Sequence, residues 1–163
     1  MKTTLSLAGL LSLIFSGSLF AQQSFERKNV FLSAGPVFFG QTLDLTLTGE
    51  YGISSKIGVG LRVTGGHLIS RSGYSGIHTA AFANYYGLTS AQFDPYVGLA
   101  VGKTTYVREV QGSDNYAGFR VSLQAGVRYW VTRRLGVYAH GLVGLRRDVL
   151  PVAEAGLTMN LAH

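Results

Sequence analysis

A strict two-residue alternation dominates this sequence. From Leu43 the odd positions read Leu43, Leu45, Leu47, Gly49, Tyr51 and Ile53, while the even ones read Asp44, Thr46, Thr48, Glu50 and Gly52. After Ser54-Ser55-Lys56 the pattern returns as Ile57, Val59, Leu61 and Val63 against Gly58, Gly60, Arg62 and Thr64. It recurs from Val97 (Val97, Leu99, Val101), from Phe119 to Tyr129, from Leu135 to Leu145 beyond the Thr132-Arg133-Arg134 turn, and from Ala155 to Leu161. Successive side chains of a strand point to opposite faces, so alternation of this length predicts β-strands with two chemically different faces. Two further segments complete the set. Val30 to Phe39 meets Leu43 through a Gly40-Gln41 turn, which puts Val30, Leu32, Ala34 and Phe38 on the leucine face. Its other face (Phe31, Val37, Phe39) is apolar as well, so its facing stays open. Ile77 to Gly87 carries Ala80-Ala81 and Tyr85-Tyr86, which blur both faces. The expectation is an all-β chain of eight strands, each of roughly ten residues, joined as consecutive antiparallel hairpins with no helix and no second domain.

Alternating strands close into two opposite kinds of barrel. A soluble barrel hides its apolar face and wets the polar one, whereas a membrane barrel turns the apolar face to lipid. The character of the non-apolar face decides between them. A wet face carries many Lys, Glu, Asp and Gln; here it is glycine, alanine, serine and threonine, with charges only at intervals. Only 13% of the residues are charged and mean hydropathy is +0.23, against about 25% charged residues in an ordinary soluble domain. Beyond the N-terminal stretch there is no apolar run of the ~18 residues that a membrane helix requires, which excludes a helical membrane protein. Small residues suit an eight-stranded interior, where there is room only for packed side chains. The charges on that face balance, with Asp44, Glu50 and Glu154 against Arg62, Arg120 and Arg128. With Gln124 and His140 they form the expected interior charge network, because buried charges are tolerable only when paired. Glu50 and Arg62, diagonally offset across the Ser54–Lys56 hairpin, are near enough to interact.

Aromatic residues collect at strand ends. Tyr51, Tyr85, Tyr86, Phe93, Tyr96, Tyr129 and Trp130 flank the three short turns, and Phe38, Phe39, Tyr106, Tyr116 and Phe119 flank the opposite ends. Two such belts are the pattern of interfacial girdles. Strands of about 9–11 residues tilted near 45° cross a hydrocarbon layer, and this chain holds eight of them and little more. At the N-terminus, Met1-Lys2, the apolar stretch Leu5 to Phe20 and the small residues up to Ala21 read as a secretory signal peptide cleaved after Ala21. A membrane anchor is the alternative, and it lacks a stop-transfer flank. Residues 22–163 are then the mature barrel, an exported chain with no Cys and hence no disulfides.

The signal peptide, the stretch Phe93-Asp94-Pro95-Tyr96-Val97-Gly98-Leu99-Ala100-Val101-Gly102 and the closing Ala155-Gly156-Leu157-Thr158-Met159-Asn160-Leu161 resemble the small eight-stranded outer-membrane barrels of OmpA and OmpX type, often labelled porin-like. The resemblance covers all of residues 22–163. It implies an up-and-down transmembrane β-barrel in the bacterial outer membrane, inserted by the barrel-assembly machinery and surrounded by outer-membrane lipids. Such barrels usually end on an aromatic residue that the machinery reads; this chain ends Leu161-Ala162-His163. Either Leu161 takes that place or the recognition differs. No peptidoglycan-binding domain follows the barrel, so the anchoring role of longer relatives is not implied.

Candidate chemistry mostly dissolves on inspection. Gly98, Gly102, Lys103 and Thr104 mimic a phosphate-binding loop, but the glycine spacing is one residue short and no helix follows. His67, His78, His140 and His163 are scattered without ligand spacing, so neither a metal nor any other cofactor is expected. Some eight-stranded outer-membrane barrels are lipid A deacylases carrying a His-x-Ser pair and a Glu on the last two strands. His140 and Glu154 occupy comparable places here, yet the nucleophile position is Leu142, which has no hydroxyl to acylate. The alternative is that both are interior polar residues.

The remaining charges fall at the barrel ends. Arg71, Lys103, Arg108, Arg146 and Arg147 outweigh Glu109, Asp114 and Asp148 at one end, where the arginines suit lipopolysaccharide phosphates. Arg27, Lys28, Lys56, Arg133 and Arg134 outweigh Glu26 and Asp94 at the other. Nucleic acid is not an expected partner of an exported chain, despite the pI of 9.8. The reading is a monomeric outer-membrane barrel with a structural or surface-interaction role and no catalysis, its loops Ser70–Gly76, Arg108–Tyr116 and Arg146–Leu150 being the exposed sites. A narrow gated pore, a lipid A-modifying hydrolase and a soluble lipocalin-like carrier are the alternatives.

Overall fold

The computed structural model describes residues 25, 27–39, 42–69, 74–88, 92–108, 116–145 and 152–161. The expected signal peptide and the Gly40-Gln41 turn lie outside the described residues. Eight strands run in chain order: β1 (Val30–Phe39), β2 (Thr42–Gly52), β3 (Ile57–Ile69), β4 (Tyr74–Tyr85), β5 (Phe93–Arg108), β6 (Tyr116–Trp130), β7 (Leu135–Gly144) and β8 (Val152–Asn160). Each pairs antiparallel with the next, and β1 pairs with β8 to close the barrel. Closure removes every sheet edge, the condition for strands to lie in hydrocarbon without orphaned backbone groups.

The side-chain pattern is inside out relative to a soluble protein. In β2 the acids and threonines Asp44, Thr46, Thr48 and Glu50 are buried, while Leu45, Leu47 and Tyr51 are 44–52% exposed. Leu61, Val97, Val121, Val143 and Leu157 likewise stand on the outer wall. A leucine-rich exterior around a buried arginine–glutamate interior is what lipid, and not water, selects. The ambiguous β1 is settled by register. Phe31 lies opposite Glu50 and Val37 opposite Asp44, so both aromatic and valine turn inward (1% exposed each) and Phe38 faces out at 53%. In β4, Ala80 and Phe82 face in, with Ala81 and Ala83 out.

Four strands outrun the expectation of roughly ten residues: β5 has 16, β6 has 15, β3 has 13 and β4 has 12. The alternation that begins visibly at Val97 already starts at Phe93. Likewise the Ser70–Gly76 loop is shorter than expected, because β4 begins at Tyr74.

At one end of the barrel, called here the turn end, lie the start of β1, the end of β8 and the connections 53–56, 86–92 and 131–134. Two of these turns share one device. The Ser54 hydroxyl accepts hydrogen bonds from the Lys56 and Ile57 amides (3.2 and 3.0 Å), and the Thr132 hydroxyl accepts them from Arg134 and Leu135 (3.3 and 2.9 Å). A hydroxyl that satisfies the turn's own N–H groups fixes the hairpin and thus the strand register. The opposite, loop end carries the connections 40–41, 70–73, 109–115 and 145–151.

The closing seam has a special contact. The β1–β8 ladder runs through Ala34↔Leu157 and resumes at Val37↔Glu154. Between them Gly35 and Gly156 face each other so closely that a Cβ on Gly156 would overlap the Ala34 carbonyl and stand 2.7 Å from Gly35 Cα. A Cβ on Gly35 would meet Ala155 in the same way. Only glycine permits that approach.

Candidate functional site

The polar interior is the candidate site, and each of its charged members is delivered by the inward register of one strand. Glu50 of β2 is its busiest acceptor. One carboxylate oxygen takes the Tyr86 hydroxyl (2.7 Å) and the Asn84 amide (3.2 Å); the other takes Arg128 Nη2 of β6 at 2.6 Å. Asn84 in turn accepts from Gln124 Nε2 at 2.5 Å. The Arg128 guanidinium lies 4.5 Å from the Phe31 ring centroid and 5.7–5.9 Å from those of Tyr86, Tyr96 and Trp130. An ion pair buried on both sides, with a ring face against the cation, recovers much of the desolvation cost that either charge alone would incur.

A second cluster surrounds Glu154 of β8. Tyr138 donates to it at 2.5 Å, His140 Nε2 approaches its other oxygen at 3.2 Å, and Arg62 Nε stands 3.7 Å away. The His140 Nδ1 meets the Tyr96 hydroxyl at 3.2 Å, and Arg62 also lies over the Phe82 ring at 5.3 Å. Polar pairs Ser33–Thr158 (2.8 Å) and Thr46–Thr64 (3.1 Å) fill other levels of the interior.

Two apolar clusters lie alongside this network. Phe25, Phe31, Tyr86, Tyr96 and Trp130 form one buried cluster at the turn end. Val37, Leu142 and Val152 form another at the loop end.

Asp44, Glu50, Arg62, Gln124, Arg128, His140 and Glu154 are all buried inside the barrel, and Arg120 is half-buried on the same face. Their partnership differs from the sequence expectation. Register keeps Arg62 opposite Thr48, diagonal to Glu50, but the ion pairs cross the interior: Glu50 binds Arg128 of β6, and Arg62 faces Glu154 of β8. Barrel curvature brings distant strands closer, along the inward normals, than a flat hairpin suggests.

Asp94 is a correction. Counted as a turn charge from sequence, it is an inward strand residue with 0% exposure, accepting the Trp130 indole N–H at 2.6 Å and the Phe25 amide at 3.3 Å. The even-numbered rhythm of Gly98 and Tyr96 reaches back to it, and that rhythm was the signal available. The turn-end girdle is also smaller than expected. Tyr51, Tyr85 and Phe93 face out, with Tyr129 half-buried beside Phe93 (ring centroids 4.9 Å apart), whereas Tyr86, Tyr96 and Trp130 turn inward. At the other end Phe38 and Phe119 face out; the side chains of Phe39, Tyr106 and Tyr116 lie outside the described residues. Phe25 carried no sequence signal, since it precedes all alternation.

Of the cations expected to meet lipopolysaccharide, Lys103 is exposed on the outer wall of β5, paired across the ladders with Thr79 and Phe119. Arg71, Arg146, Arg147 and the Arg108 side chain lie outside the described residues. Among the described residues no group of three metal-ligating side chains comes together. His140 and Glu154 meet, with the hydroxyls of Tyr96 and Tyr138 beside them, while Leu142 packs against Val37 and Val152 in the interior.

A closed eight-stranded antiparallel barrel with an apolar wall and a salt-bridged interior is the architecture of the small outer-membrane β-barrels, and this chain has their fold. Solved structures of that class match it: the N-terminal barrel domain of Pseudomonas aeruginosa OprF (TM-score 0.69, 17% identity, 85% of this chain and 100% of that one). Neisserial surface protein A matches with TM-score 0.57 and 14% identity, over 81% and 93% of the two chains. Yersinia pestis Ail matches with TM-score 0.55 and 12% identity, over 83% and 100%. No family model and no curated protein matches the sequence.

Proposed function

We propose that this chain is an integral protein of the bacterial outer membrane with a sealed interior, acting as a structural or surface-interaction element and not as a channel or enzyme. The observation that carries the reading is the filling of the lumen by packed side chains. The ion pairs Glu50–Arg128 and Arg62–Glu154 are buried among the rings of Phe31, Tyr86, Tyr96 and Trp130 toward the turn end and beside Val37, Leu142 and Val152 toward the loop end. Hydrated ions meet a lumen occupied by buried side chains, and Glu50, Arg62, Arg128 and Glu154 already have partners of opposite sign. The turn end, which carries the start of β1 and the end of β8, then faces the periplasm and the loop end faces out.

On this reading residues 1–21 are removed during secretion across the inner membrane, and the barrel-assembly machinery inserts residues 22–163 as a monomer. Lys103, together with Arg71, Arg108, Arg146 and Arg147, contacts the phosphates of lipopolysaccharide. The loops between β3 and β4, β5 and β6, and β7 and β8 are the surfaces offered to a partner. The likeness to a Neisserial surface protein and to Ail supports the fold that presents such loops.

The test is threefold. Membrane fractionation should place the protein in the outer membrane, with a shift between boiled and unboiled samples on a gel. Extraction in buffer without detergent would instead indicate the soluble carrier. In planar bilayers the protein should give no steady conductance. A steady conductance that Arg62→Ala or Glu50→Ala alters would replace this proposal with a gated pore. Acyl-chain release from lipid A, lost in His140→Ala, would establish the hydrolase.

A further inference from the structure

Phe25 lies outside every strand, yet it is among the most buried side chains described, 2% exposed. Its ring stacks on Tyr86 with centroids 3.8 Å apart and planes 11° from parallel, and on Phe31 at 5.3 Å and 24°. Its backbone N–H donates to Asp94 Oδ1 at 3.3 Å, while the other oxygen of that carboxylate holds the Trp130 indole at 2.6 Å. Gly58 leaves room first for the Glu50 carboxylate, which a Cβ there would overlap, and then for the ring tip, 3.0 Å from such a Cβ. Ring and N–H therefore each have a counterpart on the barrel wall, with space at the ring tip beside Gly58.

The chain makes a specific effort to deliver this residue. Just before β1, Arg27 and Lys28 form a turn in which Lys28 adopts φ 72°, the left-handed conformation that a side chain disfavours. The Lys28 amide donates to the Gly52 carbonyl at 2.7 Å, and the Gly52 amide donates to the Asn29 carbonyl at 2.9 Å. These bonds hold the bend at Lys28 against the end of β2. A strained residue held by surrounding hydrogen bonds is a feature that marks function.

We propose that the turn-end mouth is a recognition slot for a phenylalanine residue of an extended peptide, formed by Tyr86, Phe31, Gly58 and Asp94, and that Phe25 fills it as a tethered occupant. The aromatic walls take the ring, and the Asp94 carboxylate takes the N–H of the same residue, which a free hydrocarbon does not offer. Occupancy in cis shields Trp130 and completes the seal at that end. When Phe25 is missing, the slot accepts an equivalent group supplied from solution.

Trp130 is the single tryptophan of the chain, so its fluorescence reports on the slot directly. In detergent-folded protein, acrylamide should quench Trp130 weakly in the natural chain and severalfold more strongly in Phe25→Ala. Adding N-acetyl-L-phenylalaninamide to Phe25→Ala should restore the shielding, and N-acetyl-L-alaninamide should not. Phe25→Ala with Trp130 as shielded as in the natural chain, or shielding that the phenylalanine derivative never restores, overturns the proposal. The natural chain supplies an independent check that does not depend on the variant folding. Nuclear Overhauser contacts between the Phe25 and Tyr86 rings are expected at their spacing, and their absence overturns the proposal equally.

Discussion

Splitting the Glu50–Arg128 pair tests whether the interior is built on mutual neutralisation. Arg128→Met removes the cation and leaves Glu50 buried at 3% exposure, still accepting from Tyr86 and Asn84 but with no countercharge at 2.6 Å. Breaking a buried pair from one side costs about 3–5 kcal/mol, chiefly the uncompensated charge. Glu50→Gln strands Arg128 in the same way and should cost a similar ~3–5 kcal/mol. The double variant is the discriminating case. Its Gln can still accept from Tyr86 and Asn84, Met fills much of the arginine's volume, and no charge is stranded. What remains lost is the attraction of the guanidinium to the Phe31 ring, worth on the order of 0.5–2 kcal/mol. The double variant should therefore be no less stable than either single one, a coupling of at least ~3 kcal/mol. Guanidinium unfolding in lipid vesicles, followed by Trp130 emission and by the gel shift, measures all four proteins. Additive losses, within about 0.5 kcal/mol, would refute the pairing argument.

The outer wall and the seam yield further tests. Leu47→Arg, at a 52% exposed wall position, should lower stability in vesicles by about 2–4 kcal/mol if that position sits near the bilayer midplane; unfolding midpoints in vesicles and in micelles read the effect. Spin labels at Leu45 and Val121 should be reached by dissolved oxygen and not by a water-soluble nickel relaxant, whereas a label at Thr46 should report the packed interior; water at Leu45 would reverse the assignment of faces. Gly156→Ala should push β8 from β1 and cost the upper part of the ~1–3 kcal/mol range for overpacking, seen as loss of the gel shift at lower temperature than in the natural chain, with Gly49→Ala, where a Cβ meets open space, as the neutral control.

The strands and their facing were legible because period two is imposed residue by residue. Leu45 and Thr46 face opposite media, and no packing detail can exchange them without a shift of register. What escaped was whatever depends on closure. The sequence places Arg62 near Glu50 because they sit on neighbouring strands; it holds no term for β6 and β8 arriving from across the interior. Asp94 escaped for a different reason. Pro95 and Asp94 look like turn residues, and only the continuing hydrogen-bond ladder from Asp94 to Arg128 shows that β5 has begun. Tyr86, Tyr96 and Trp130 were assigned to the girdle by position along the strand, although parity alone, shared with Gly98 and Arg128, turns them inward. Phe25 obeys no period at all, and its place follows from the backbone bend at Lys28.

The glycine contact between Gly35 and Gly156 joins the first strand to the last, and so fixes the order in which the molecule can form. Phe31 and Asn160 are partners from nearly opposite ends of the chain, so their meeting carries the largest loop entropy of any pairing here and gains least from local contacts. Until they meet, two raw edges stand open, and in hydrocarbon each unpaired amide or carbonyl costs several kcal/mol. A half-inserted sheet therefore has no resting place in lipid. Entry into the bilayer and fastening of the final ladder become a single cooperative event, and a fragment lacking β8 should remain outside the membrane altogether.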